Sequence, residues 1–201
     1  MNQQFKELLL QSLETEMGGV QVYQTALRCV INKDLKKEWK EYLEQTKRHV
    51  EVMHELFETF SLDPEQMSPG RKIVRHLGES LVKAMEMAIK NDKPEAAELV
   101  ACECVVLAET KDHANWQLMS QCAEKARGEE AKALKDACEE VEIQEDEHLY
   151  HSKGWSRELW IASLGIRAVL PPPEEKKDVK TAIGAARAAQ SRKAMLKKGG
   201  A

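Results

Sequence analysis

Two short stretches of the chain carry the same pair of potential metal ligands. Glu51-Val52-Met53-His54 and Glu145-Asp146-Glu147-His148 each place a glutamate three residues before a histidine. On a helix, residues three apart share a face, so a carboxylate and an imidazole at that spacing can reach one point. One such pair is common by chance; the second copy gives the first its weight. A shift of 94 residues carries Glu51 onto Glu145 and His54 onto His148, and a shift of 93 carries Glu16 onto Glu109, Tyr23 onto Trp116, Gln24 onto Gln117 and Cys29 onto Cys122. The chain therefore reads as two drifted copies of one helical hairpin. Each copy supplies a lone glutamate from its first helix and a Glu-x-x-His pair from its second.

Glu16, Glu51, His54, Glu109, Glu145 and His148 would make six ligands, enough for two metal ions. Four carboxylates balance two divalent cations. Without metal, four glutamates inside a helical core would be costly, and their pKa values would have to rise. Oxygen with imidazole nitrogen suits iron or manganese, and there is no Cys-x-x-Cys to suggest structural zinc. Tyr23, Asp112 and His113 are candidates for a supporting role or an extra ligand, Asp112 and His113 because they follow Glu109 by three and four residues. His151 fits a structural role, and His49 and His76 fit exposed positions. The five cysteines read as reduced thiols packed in helices, and the methionines as core filler.

The elements that would position these residues are helices. Apolar residues recur at three and four through about 3–30 and again through about 34–60, with Asn32-Lys33-Asp34 as the break. SLDPEQMSPG is a loop, a shorter helix follows at about 70–91, and two more long helices run over about 94–125 and 128–163. No Asn-Gly or Asp-Gly turn flanks an alternating apolar run, so the fold class is all-α. The order is hairpin, long helical crossover at about 61–93, hairpin. Residues 1–164 form the folded unit. Residues 165–201 form a basic C-terminal extension rich in Pro, Ala and Lys, expected to be a solvated arm or a loosely held helix.

Together the motifs Glu16-x6-Tyr23, Glu51-x2-His54, Glu109-x6-Trp116 and Glu145-x2-His148 resemble the ferritin-like di-iron carboxylate superfamily over about residues 5–155. The resemblance implies a ferritin-like four-helix bundle with one long helical crossover between its second and third helices. It implies two iron ions, with manganese as the alternative. Glu51 and Glu145 would bridge them, Glu16 and Glu109 would be terminal carboxylates, and His54 and His148 terminal imidazoles. The symmetric six-ligand set is similar to that of rubrerythrins, bacterioferritins and demethoxyubiquinone hydroxylases. Rubrerythrins often carry an extra carboxylate where Asp112 stands. No rubredoxin segment is present, so an electron donor would be a separate protein. The implied activity is O2- or hydrogen-peroxide-dependent redox chemistry of the ferroxidase or peroxidase type. The alternatives are a metal-holding, iron-storage or stress protein, a di-manganese catalase, and a hydroxylase, which would need an apolar substrate channel. A homodimer or higher homo-oligomer is implied by analogy.

Composition narrows the partners. The chain has 201 residues and a formal net charge of −4, while residues 171–201 hold eight Lys or Arg against three Asp or Glu. The body is thus acidic, which does not suggest a nucleic-acid binder. No run of 18 apolar residues is present, and the first residues lack the pattern of a signal peptide. A cytoplasmic protein without a membrane span is the expectation.

Overall fold

The computed structural model describes residues 2–91 and 93–198. It is all-helical: α1 (Gln3–Cys29), α2 (Lys33–Thr59), α3 (Pro69–Ile89), α4 (Pro94–Lys125), α5 (Glu129–Ser163), α6 (Pro173–Lys176) and α7 (Ala182–Lys198). The helix starts follow local chemistry. Asn2, Asn32 and Ser68 accept hydrogen bonds from the first free amides of α1, α2 and α3, and Pro69 and Pro94 open α3 and α4 where no amide donor is needed. Gly128 joins α4 to α5 at φ 89°, a left-handed conformation that favours glycine.

The four long helices close a ring, α1 against α2, α2 against α5, α5 against α4, and α4 against α1. Contacts along each pair fix the directions. Phe5 packs edge-on against Phe60, so α1 and α2 are antiparallel. Glu98 at the start of α4 accepts from the amides of Ile31 and Asn32, just past the end of α1. Hence α2 and α4 run the same way, and the chain must travel back along the ring between them. α3 makes that journey, packed on α1 and α4. It is anchored by Arg71, which is 2% exposed and donates to Glu14 at 2.7 Å. Arg75 donates to the same carboxylate at 2.6 Å.

The apolar core falls into two clusters. One contains Tyr23, Trp39, Ala101, Val105 and Trp155, and the other contains Leu9, Leu13, Met53, Phe57, Trp116 and Val141. On each of the four helices the stretch between these clusters contributes buried polar side chains, among them Glu16, His49, Glu109 and Glu145. A fully buried apolar side chain contributes about 1.5–3 kcal/mol, so the two clusters can hold together a polar layer that is costly by itself.

The C-terminal extension departs from the expected solvated arm. Glu158 on α5 is fully buried, accepts from the Val169 amide at 2.8 Å, and is paired with Arg157 and with Arg192 of α7. Glu174 is buried against the same Arg157 through two hydrogen bonds of 2.8 Å. These carboxylates, rather than composition, decide that α6 and α7 fold back on α5. No described helix is long and apolar enough to cross a membrane.

Candidate metal centre

The polar layer between the two apolar clusters consists of Glu16 on α1, His49 on α2, Glu109 and Asp112 on α4, and Glu145 and His148 on α5. None is more than 4% exposed. Each has a polar side-chain atom that is buried without a hydrogen-bond partner: Glu16 Oε2, His49 Nδ1, Glu109 Oε2, Asp112 Oδ1, Glu145 Oε2 and His148 Nδ1. Buried polar groups are normally satisfied, so six orphans from four helices in one layer need an explanation.

The geometry forms two triads that share one residue. Glu16, His49 and Glu145 bring one ligand atom each within 4.8 Å of one another, and so do Glu109, Glu145 and His148. His49 Nδ1 lies 3.1 Å from Glu145 and 3.6 Å from Glu16, and His148 Nδ1 lies 3.6 Å from Glu145 and 3.5 Å from Glu109. Glu145 thus stands between the two imidazoles, whose ring centroids are 5.7 Å apart.

Each imidazole is oriented from behind by a glutamine on the facing helix. His49 Nε2 is 2.8 Å from Gln144 Oε1, and His148 Nε2 is 2.7 Å from Gln45 Oε1. Because the glutamine oxygen accepts, each Nε2 carries the proton. Nδ1 is thus the ring atom that faces the layer and that a metal would take once it carries no proton, the arrangement a metal-ligating histidine needs. Trp116 Nε1 donates to Glu16 at 2.6 Å. Tyr23, the counterpart of Trp116 in the first hairpin, is fully buried. Burial first, and then the Glu109 carboxylate, push its phenol well above the usual range, so it stays protonated. The Tyr42 ring lies tilted by 39° against the His148 ring, with centroids 4.2 Å apart, and burial and then Glu38 raise its phenol pKa.

The electrostatics of the bare layer follow from crowding. Burial raises Glu145 to about 7, with Glu109 and Glu16 adding to it while His49 and His148 pull against it. Burial and then the Glu16, Glu145 and Glu109 charges push Asp112 well above the carboxylate range. Burial alone would lower His49, but Glu16 and Glu145 overcome it and lift the ring to about 11. Several negative groups are thus forced together, and protons take the place of cations.

The sequence-derived ligand set is changed at two positions. Glu51 and His54 are exposed on the outside of α2, Glu51 pairing with Arg48 at 3.2 Å. The histidine of α2 that enters the layer is His49, expected on the surface yet 1% exposed. Glu16, Glu109, Glu145 and His148 are in the layer as expected, and Asp112 joins them. His113 leaves it, its Nε2 lying 2.7 Å from Asp146. His151 is bound to Glu38 and the Val179 carbonyl and holds the extension against α5.

A heptad pattern identifies His49. Leu35, Trp39, Tyr42, Thr46, His49, Met53 and Leu56 alternate at four and three, all buried. So do Leu134, Cys138, Val141, Glu145, His148, Ser152, Trp155 and Leu159. Aligning these stripes places Gln45, Thr46 and His49 on Gln144, Glu145 and His148, a shift of 99 residues rather than 94. The shift of 93 between α1 and α4 holds and adds Gly19 opposite Asp112. The layer is therefore lopsided. Where the second hairpin has Asp112 and Glu145, the first has Gly19 and Thr46.

No family model, curated protein or solved structure matches the chain.

Proposed function

We propose that the layer is a dinuclear metal centre and that iron is its best-matched metal, with manganese the alternative. Glu16 and His49 would hold one ion, Glu109 and His148 the other, with Glu145 shared and Asp112 a further carboxylate. The observation that carries this reading is the set of six buried, partnerless oxygen and nitrogen atoms converging from four helices. Four carboxylates with two imidazoles and no thiolate form a donor set suited to iron or manganese. In this reading the ring of long helices with α3 as its crossover is a ferritin-like four-helix bundle, and the pattern of residues resembles that superfamily with His49 in place of His54.

Bound there, a pair of such ions would supply electron exchange with O2 or hydrogen peroxide. The chain's own residues do the rest. Gln45 and Gln144 fix the imidazole tautomers. Trp116 holds the Glu16 carboxylate. Tyr23 and Tyr42 keep protonated phenols beside Glu109 and His148. The apolar clusters above and below the layer exclude water. Electrons for repeated turnover would come from a separate donor.

The test is metal content by elemental analysis after anaerobic loading with Fe(II) or Mn(II), followed by measurement of O2 and peroxide consumption. About two ions per chain, lost in the His49→Ala and Glu145→Ala variants, is the expected result. A wild-type protein that retains no metal after loading overturns it.

A further inference from the structure

A cavity of about 560 Å³ opens between α1, α3 and α4, within the range of about 300–1,000 Å³ that holds small organic ligands. Most of its wall is apolar and includes Met17, Val22, Val74, Leu77, Leu81 and Leu107. Met17, Leu77 and Leu107 are 36%, 54% and 60% exposed, so the apolar surface continues to the mouth.

Part of the wall is formed by residues next to the candidate ligands along α1 and α4. On α1 it includes Thr15 and Gly19, the neighbours of Glu16, and on α4 it includes Ala108 and Lys111, the neighbours of Glu109 and Asp112. A polar chain crosses between the helices here. Asn115 donates to Thr15 Oγ1 at 3.0 Å and accepts from Lys111 Nζ. Lys111 is half-buried and forms no ion pair among the described residues. The other charges of the wall are accounted for elsewhere. Arg75 is held by Glu14, and Glu79 is exposed at the mouth.

Gly19 marks the side of the layer that lacks carboxylates. A Cβ there would come within 3.2 Å of Thr46 Cγ2. Gly19 and Thr46 are the counterparts of Asp112 and Glu145, so the half of the centre with Glu16 and His49 has small neutral residues where the other half has acids. Gly19 lines the cavity, whereas none of the six layer residues does.

We propose that this cavity binds an apolar monocarboxylic acid, its hydrocarbon chain between α1, α3 and α4 and its carboxylate on the Lys111 ammonium beside Gly19. An apolar wall ending in one half-buried, unpaired cation recognises a ligand with one anionic end. As a substrate class for the centre, this rests on the metal-site reading; as a binding site it does not.

The experiment is calorimetric titration of the EDTA-treated protein with decanoate and with 1-decanol, both below their aggregation limits. Using metal-free protein separates the two readings. Decanoate binding with no metal uptake would sink only the dinuclear centre, and metal uptake without decanoate binding would sink only this proposal. We expect one decanoate per chain, bound about tenfold or more tighter than 1-decanol. Lys111→Met removes that preference. Gly18→Leu and Ala108→Phe fill the cavity and weaken both ligands about tenfold or more. A Cβ at Gly18 meets nothing within 4 Å, and leucine is the better helix former there, so folding, checked by circular dichroism, is retained. No saturable decanoate binding, or equal binding of acid and alcohol by the wild type, overturns the proposal. So does binding unaffected by both filling substitutions.

Discussion

Replacing Glu145 with glutamine should stabilise the metal-free protein while abolishing its metal binding. Glu145 is 1% exposed and shares its layer with three other carboxylates. Burial, with the Glu109 and Glu16 charges, raises its pKa from 4.5 to about 7, a value that already includes the opposing pull of His49 and His148. A carboxyl that holds its proton more tightly when folded contributes fully to stability below pH 4.5. That contribution is lost as pH rises toward about 7, where the folded protein must also ionise the group. Each pKa unit corresponds to about 1.4 kcal/mol, so above pH 7 the ionised Glu145 costs the folded state about 3 kcal/mol. Glutamine has nearly the same shape and no charge to bury. At pH 8 in EDTA, Glu145→Gln should therefore raise the melting temperature by about 6–12 °C, since about 1 kcal/mol moves a protein of this size by about 2–4 °C. At pH 4.5 the gain should vanish. With Mn(II) present the order should reverse, because only the wild type gains stability from binding. The assay is thermal unfolding followed by circular dichroism at both pH values, with and without Mn(II). A variant no more stable than wild type at pH 8 in EDTA would refute the reasoning, since it would mean that His49 and His148 fully offset the burial of the Glu145 charge.

Further outcomes follow from the same geometry. The double variant Glu51→Ala, His54→Ala should bind as much metal as wild type, whereas His49→Ala alone should lose it; elemental analysis of the three proteins side by side checks this. Gln45→Ala and Gln144→Ala should each weaken Mn(II) affinity by about 10–100-fold with little change in fold, as expected when the group that orients a ligand is removed, and competition with a chelator measures it. Because His49 is lifted to about 11 in the metal-free protein, Mn(II) binding at pH 8 should release at least one proton, and affinity should fall as pH is lowered; calorimetry in buffers of different ionisation enthalpy reads the number. Glu158→Ala leaves Arg192 without its carboxylate, while Arg157 keeps Glu174, and should cost about 1–3 kcal/mol, the range for losing hydrogen bonds to a charged group. Urea unfolding gives the loss, and faster trypsin cleavage within residues 182–198 locates it.

Helix boundaries, the hairpin–crossover–hairpin order and four of the six proposed ligands were legible in the amino-acid sequence. Asn, Ser and Pro at the helix starts act on the nearest amides, and the spacing of apolar residues reports which face of a helix is buried. These are local effects, and they survive without knowledge of the neighbours. Glu51-x-x-His54 misleads because spacing alone cannot say which face a pair occupies. Only the unbroken heptad from Leu35 to Leu56 shows that Thr46 and His49 share the buried stripe and that Glu51 and His54 lie off it.

What tertiary structure decided is long-range and rests on pairing. It brought Gln45 to His148 and Gln144 to His49 across 103 and 95 residues, which fixes the imidazole tautomers. It placed Asp112 rather than His113 in the layer and set Gly19 against Thr46. It also turned a lysine-rich segment into a helix docked on Glu158. A residue's own type cannot report these outcomes, because the free energy of a buried charge depends on which partner the fold delivers to it.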